Sequence, residues 1–158
     1  MKTYQTRNAF SMLTAIVIIV LMSTVAAFVM SLSGKTVKST TIQYQREQAE
    51  LYAKSYTEYA IMAVTANNRS VDCLSTIKGR VGHPTTGNGY RIRAHIAYIA
   101  NGNLVDLSQC NNDRLLSTTV QTKNTPLSIM IDVYVDYKDP DNINGPWLTV
   151  HRRSIQKI

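Results

Sequence analysis

Between Arg7 and Lys35 the chain lacks charge altogether. It also lacks proline there, and the one glycine of the interval, Gly34, stands at its far end. An uncharged, proline-free stretch of this length excludes an ordinary solvated surface segment. Histidine is scarce: His83, His95 and His151 are the only three, and none stands in a nucleophile or metal motif. Hydrolytic catalysis is left without a candidate, and the chain reads as a non-enzyme. Cysteine is limited to Cys73 and Cys110, both after the uncharged run. From Lys35 to Ala66 there is again neither glycine nor proline, so no residue in that stretch breaks a helix. Internal repeats and low-complexity segments are absent as well.

What is present begins with that run. Ala9 to Met30 reads A-F-S-M-L-T-A-I-V-I-I-V-L-M-S-T-V-A-A-F-V-M. About 20 apolar residues rising ~1.5 Å each match a ~30 Å hydrocarbon core. A lone span must be helical, because only a helix satisfies its own backbone in lipid. The leader before it is short and carries Lys2 and Arg7. Three readings fit this start: an uncleaved signal anchor, a secretory signal cut after Ala27, and a leader cut just before the hydrophobic helix. Without leader and span, roughly 125 residues remain, enough for one domain with one core. The net charge is +7, with basic residues spread along the chain. That permits contact with nucleic acid, anionic lipid or acidic protein and by itself selects none.

Beyond the span, Ile42, Ala49, Tyr52, Ala53, Tyr56, Tyr59, Ala60 and Ala63 recur at spacings of three, four and seven. They make one helix face. The tyrosines Tyr44, Tyr52, Tyr56 and Tyr59 read as core rather than as a ligand-binding stripe. One helix therefore runs from Phe10 to about Ala66, about 85 Å if straight. Ser33-Gly34-Lys35-Thr36 ends like a phosphate-binding loop, but Val29 stands where that motif needs its first glycine. Lys35 is better read as an interfacial anchor.

Gly79 to Gly89, with four glycines and Pro84, reads as a loop. Tyr90, Ile92, Ala94, Ile96 and Tyr98 then alternate with Arg91, Arg93, His95 and Ala97, a half-buried strand with a basic outer face. Asn101-Gly102 signals a hairpin turn, with a short return strand starting at Leu104 to Leu107. Leu127 to Tyr137 alternates again, Asp139 to Pro146 turns, and Trp147 to Ile155 returns as the last strand. An antiparallel sheet of three to five strands with one apolar face needs a cover, and the Ala/Tyr face of the helix supplies it. The fold class is α+β, a long helix on a small antiparallel sheet.

The N-terminal pattern, R-N-A followed by F-S-M-L-T-A-I-V-I-I-V-L-M, resembles type IV pilins and type II secretion pseudopilins. Members of that family have a short basic leader ending in a small residue, then a Phe that opens an uninterrupted hydrophobic helix. The resemblance covers Met1 to about Ala66 in detail and the remainder in architecture. It implies cleavage by a prepilin peptidase between Ala9 and Phe10. It also implies a membrane helix over 10–32, an amphipathic continuation over 33–66, and a periplasmic sheet domain over 67–158. Filament partners would be other pilin or pseudopilin subunits, packed through the N-terminal helices. Thr14 would be the fifth mature residue, where most members carry a Glu thought to pair with a neighbour's N-terminal amine. Its absence points to a minor component, and Ala9 stands where the family usually has Gly.

Three further sets are candidates. Cys73 and Cys110 are expected to form a disulfide, because an exported domain meets an oxidising compartment. Asp136, Asp139 and Asp141, with Asn142 and Asn144, make an oxygen-rich stretch of the kind that suits Ca²⁺, although Asp, Asn and Pro are also ordinary turn residues. No other cofactor is expected. Arg91, Arg93 and Arg153 could line a basic stripe for DNA phosphates. With no aromatic residue read onto that face, a solvated surface is favoured there. The alternative function is a membrane-tethered or filament-borne DNA receptor.

Overall fold

The computed structural model describes residues 8–101, 105–110, 114–120 and 127–158, with side chains from Met12 onward. Two compact units divide the chain, Met1–Gln43 and Tyr44–Ile158. Helix α1, Asn8–Ala66, runs without a break through both ranges. The leader up to Arg7 lies outside the described residues.

In the first unit every residue from Met12 to Thr41 is exposed. Ile19 and Phe28 are each 66% accessible, and the stretch is long and apolar enough to cross a membrane. The hydroxyls within it do not break this character. Ser23 donates to the Val20 carbonyl at 2.9 Å and Thr24 to that of Leu21 at 2.8 Å. Such back-bonding hides a polar group inside the helix's own ladder.

In the second unit α1 meets a sheet. Burial begins where small residues line up: Ala49, Ala53, Thr57, Ala60 and Val64 are all buried. Their spacing of three and four makes one narrow face. Short side chains let the sheet approach closely, and the Thr57 hydroxyl is satisfied by the Ala53 carbonyl at 2.8 Å. Tyr52 and Tyr56 are half-buried at the border of this face, whereas Tyr44 and Tyr59 are 63% and 51% exposed. The expectation of a tyrosine core therefore holds for two of the four rings. Alanines take the centre because a ring would hold the sheet away. The helix ends at Asn67-Asn68, where the Arg69 guanidinium donates to the Val64 carbonyl at 3.2 Å.

The sheet consists of β1 (Thr76–His83), β2 (Asn88–Ala100), β3 (Leu115–Ser117), β4 (Leu127–Tyr137) and β5 (Leu148–Lys157). Its order is β1-β2-β4-β5, all antiparallel, with β3 joined in parallel to the end of β2. The alternation read from β2 and β4 is the alternation observed. Ile92, Ala94, Ile96 and Tyr98 face inward with Leu127, Ile129, Ile131, Val133 and Val135, all essentially inaccessible. Each large aliphatic of this set contributes roughly 1.5–3 kcal/mol by leaving water. Tyr98 is buried too, so burial pushes its phenol up to about 12, and its hydroxyl donates to the Leu74 carbonyl at 2.6 Å.

Two expectations are corrected. Gly79 to Gly89 is not a loop but a hairpin, β1 to β2 through a 3-10 turn at Pro84–Thr86. Gly82, within paired β1 at φ +64°, and Gly87, which closes the turn at φ +79°, adopt angles that side chains disfavour. The return strand at Leu104 to Leu107 is also not found. Gly102 and Leu104 lie outside the described residues, and residues 105–107 are irregular. Asn101 bridges Thr119 instead, and the segment that pairs with the end of β2 is β3.

Candidate functional site

The outer face of the sheet gathers a dense set of basic residues. Strand parity places Lys78 and Arg80 of β1, Arg91, Arg93 and His95 of β2, and His151, Arg153 and Lys157 of β5 on this side. Among the described strand residues two carboxylates join them, Asp132 and Asp136 of β4. Arg114 reaches the same face next to His95, and Lys138 lies beside Trp147 at its rim.

Asp136 is the anchor of one end. It is 2% exposed, and the Arg91 and Arg93 guanidiniums each approach its Oδ2 at 2.9 Å. The Thr149 hydroxyl donates to its Oδ1 at 2.8 Å. One carboxylate thus holds two cations flat against the sheet, in charge-assisted bonds stronger than neutral ones. The Arg91 and Arg93 side chains remain 47% and 41% exposed. The Nε of Arg93 is buried without a hydrogen-bond partner among the described residues.

Asp132 anchors the other end. Arg153 donates to it through Nε at 2.7 Å and Nη2 at 3.0 Å, and His151 Nε2 lies 2.9 Å away. The Arg153 hydrogen bond, aided by that of His151, holds the Asp132 carboxyl below the usual carboxylate range. Between the two anchors stands Tyr134, directly opposite Arg93 on one side and His151 on the other. Its ring stacks on His151 with centroids 4.5 Å apart and planes 16° apart. The Arg93 guanidinium lies 5.9 Å from the Tyr134 centroid, and the Arg91 guanidinium 4.5 Å from that of Trp147. These are cation–π distances.

The face is thus not free of aromatic residues, as had been expected from the sequence. Tyr134 was available to parity, since it alternates with Val133 and Val135. Its neighbours were not, because they depend on the pairing register. Arg93, His95, Arg114, Asp132 and Tyr134 enclose a shallow hollow of about 300 Å³. Within it His95 Nδ1 lies 3.2 Å from the Arg114 guanidinium and 3.3 Å from the Thr76 hydroxyl. An arginine can only donate, so Nδ1 accepts and the ring proton sits on Nε2. Burial, then the nearby Arg114 and Arg93 charges, lowers the His95 pKa.

The remaining candidates are distributed as follows. Ala9 and Phe10 lie in the first turn of α1, and their side chains are outside the description. Cys73 and Cys110 are joined by a disulfide, with Cα atoms 4.8 Å apart. Asp136, Asp139 and Asp141 are not brought together as a ligand set. Asp136 faces the arginines, while Asp139 Oδ1 accepts the Asp141 amide at 3.0 Å in a local turn. Among the described residues no group of three His, Cys, Asp or Glu side chains is placed to hold a metal ion. Arg91 and Arg93 share one cluster, and Arg153 belongs to the second, across Tyr134.

No protein-family model, no curated protein and no solved structure matches this chain.

Proposed function

We propose that the chain is a pilin-like structural subunit, a minor pseudopilin of a type II secretion or type IV pilus filament. The observation that carries this reading is α1 itself. One unbroken helix presents an apolar half with every side chain from Met12 exposed and an alanine-faced half on which a sheet is laid. An apolar cylinder of that size is costly in water and needs lipid or other helices around it. Lipid serves before assembly, and neighbouring helices serve in a filament core. The subunit then waits in the inner membrane with its leader in the cytoplasm and its sheet domain in the periplasm. The disulfide agrees with an oxidising compartment on the domain side.

The test is the N-terminus of the protein isolated from its native membrane. Intact mass should place the first residue at Phe10, and replacing Ala9 with a bulky residue should leave the leader attached. A chain that retains Met1 would reduce the reading to a signal anchor. A chain that begins at Phe28 would remove the membrane helix from the mature protein altogether.

A further inference from the structure

The pairing of β1 with β2 carries an unusual feature. Lys78 lies directly opposite Arg93, and Arg80 directly opposite Arg91. Like charges in facing positions repel and destabilise a sheet. Here two such pairs follow each other along one face, with a repeat of about 6.6–6.8 Å along each strand. Asp136 answers Arg91 and Arg93 from the far side of β2. Lys78 and Arg80 are exposed and have no carboxylate opposite them. Together with Gly79 and Ile92 the four cations line an open hollow of about 490 Å³.

We propose that this face binds nucleic acid through its phosphate backbone. The four cations form a two-by-two array at a spacing comparable with successive phosphates on one strand. A polyanion laid along it relieves both like-charge pairs at once. The Asp136 clamp fixes Arg91 and Arg93 in place before the ligand arrives, so little side-chain freedom remains to be lost. Tyr134 and Trp147 already lie beneath guanidiniums. They orient cations instead of offering free rings to bases, so recognition is of backbone and independent of sequence. The inference rests on the sheet alone and stands apart from the filament reading.

The test uses the full chain in nanodiscs of zwitterionic lipid, titrated with fluorescein-labelled oligodeoxythymidine over a salt series. Four phosphates neutralised at ~0.7 each predict roughly 50-fold weaker binding at 200 mM than at 50 mM salt. The double variant Lys78→Gln/Arg80→Gln should flatten the log–log salt slope by about 1.4, and each single variant by about half of that. It should melt no lower than the parent, because a repulsion has been removed. Lys54→Gln/Arg152→Gln makes the same change in net charge away from this array and should leave the slope unchanged. The proposal is overturned if the oligonucleotide does not bind, or if the array variants keep the parental slope. An equal effect of the Lys54/Arg152 control would also overturn it. So would binding of phosphatidylglycerol vesicles or heparin without oligonucleotide, which would assign the face to a lipid or a glycan.

Discussion

Gly79 of β1 lies under the ring of Tyr56 of α1, so closely that a Cβ built on the glycine would collide with the tyrosine hydroxyl. The contact ties the helix to the edge strand. Gly79→Ala is therefore expected to destabilise by about 1–3 kcal/mol, the usual cost of overpacking. Chemical denaturation of the single variants and of Gly79→Ala/Tyr56→Ala should reveal strong coupling, with the tyrosine truncation relieving most of the glycine effect. Additive effects would mean that the two residues do not meet.

Asp136 neutralises two arginines from a buried position. Asp136→Ala should cost about 1.5–3 kcal/mol, the range for hydrogen bonds to charged groups. The loss should shrink when Arg91 and Arg93 are also replaced, since the guanidiniums left facing each other are then gone. Denaturation midpoints of the single and triple variants check this, and equal losses in both would refute the clamp.

His95 supplies a pH dependence whose sign follows from its surroundings. Arg93 beside it, Arg114 over it, Lys78 on β1 and Asp132 on β4 all act on the ring, and burial with the cations prevails to lower its pKa. The unfolded chain then takes up a proton near the ordinary value of about 6.5, while the folded chain resists until lower pH. Between those two values the unfolded state holds more protons, so stability falls as pH falls through the window. His95→Asn should remove this slope in melting curves recorded from pH 7 to 5. Imidazole titration followed by NMR should give a midpoint below that of a free histidine.

The Cys73–Cys110 bridge closes a loop with a sequence separation of 37. The chain-entropy relation assigns a closure of that length about 3–4 kcal/mol. Reduction, or Cys73→Ser/Cys110→Ser, should lower the denaturation midpoint accordingly. Thiol labelling of the denatured, unreduced chain should modify neither cysteine. Modification of both before reduction would contradict the bridge.

Much of this architecture is local in origin, and the sequence by itself determined it. The uninterrupted helix to Ala66 follows from the absence of glycine and proline past Gly34 together with spacings of three and four. The inward set of β2 and β4 follows from period-two alternation, because a strand's parity decides which side each residue faces. The basic character of the outer face is likewise carried by Arg91, Arg93 and His95 within a single strand. What only the tertiary structure decided is who stands next to whom. A slip of two residues would keep every side chain on its own face and change every cross-strand neighbour. Register alone therefore sets Lys78 against Arg93 and places Tyr134 between Arg93 and His151. Asp136 shows the same division. As a sequence it belongs to an acidic turn with Asp139 and Asp141, yet the register with β2 sets it on the outer face against two arginines. The glycines of the β1–β2 hairpin are the complementary case. Locally they signal a loop, and Gly79, Gly82 and Gly89 become strand because a partner backbone supplies the hydrogen bonds that no single segment can make for itself.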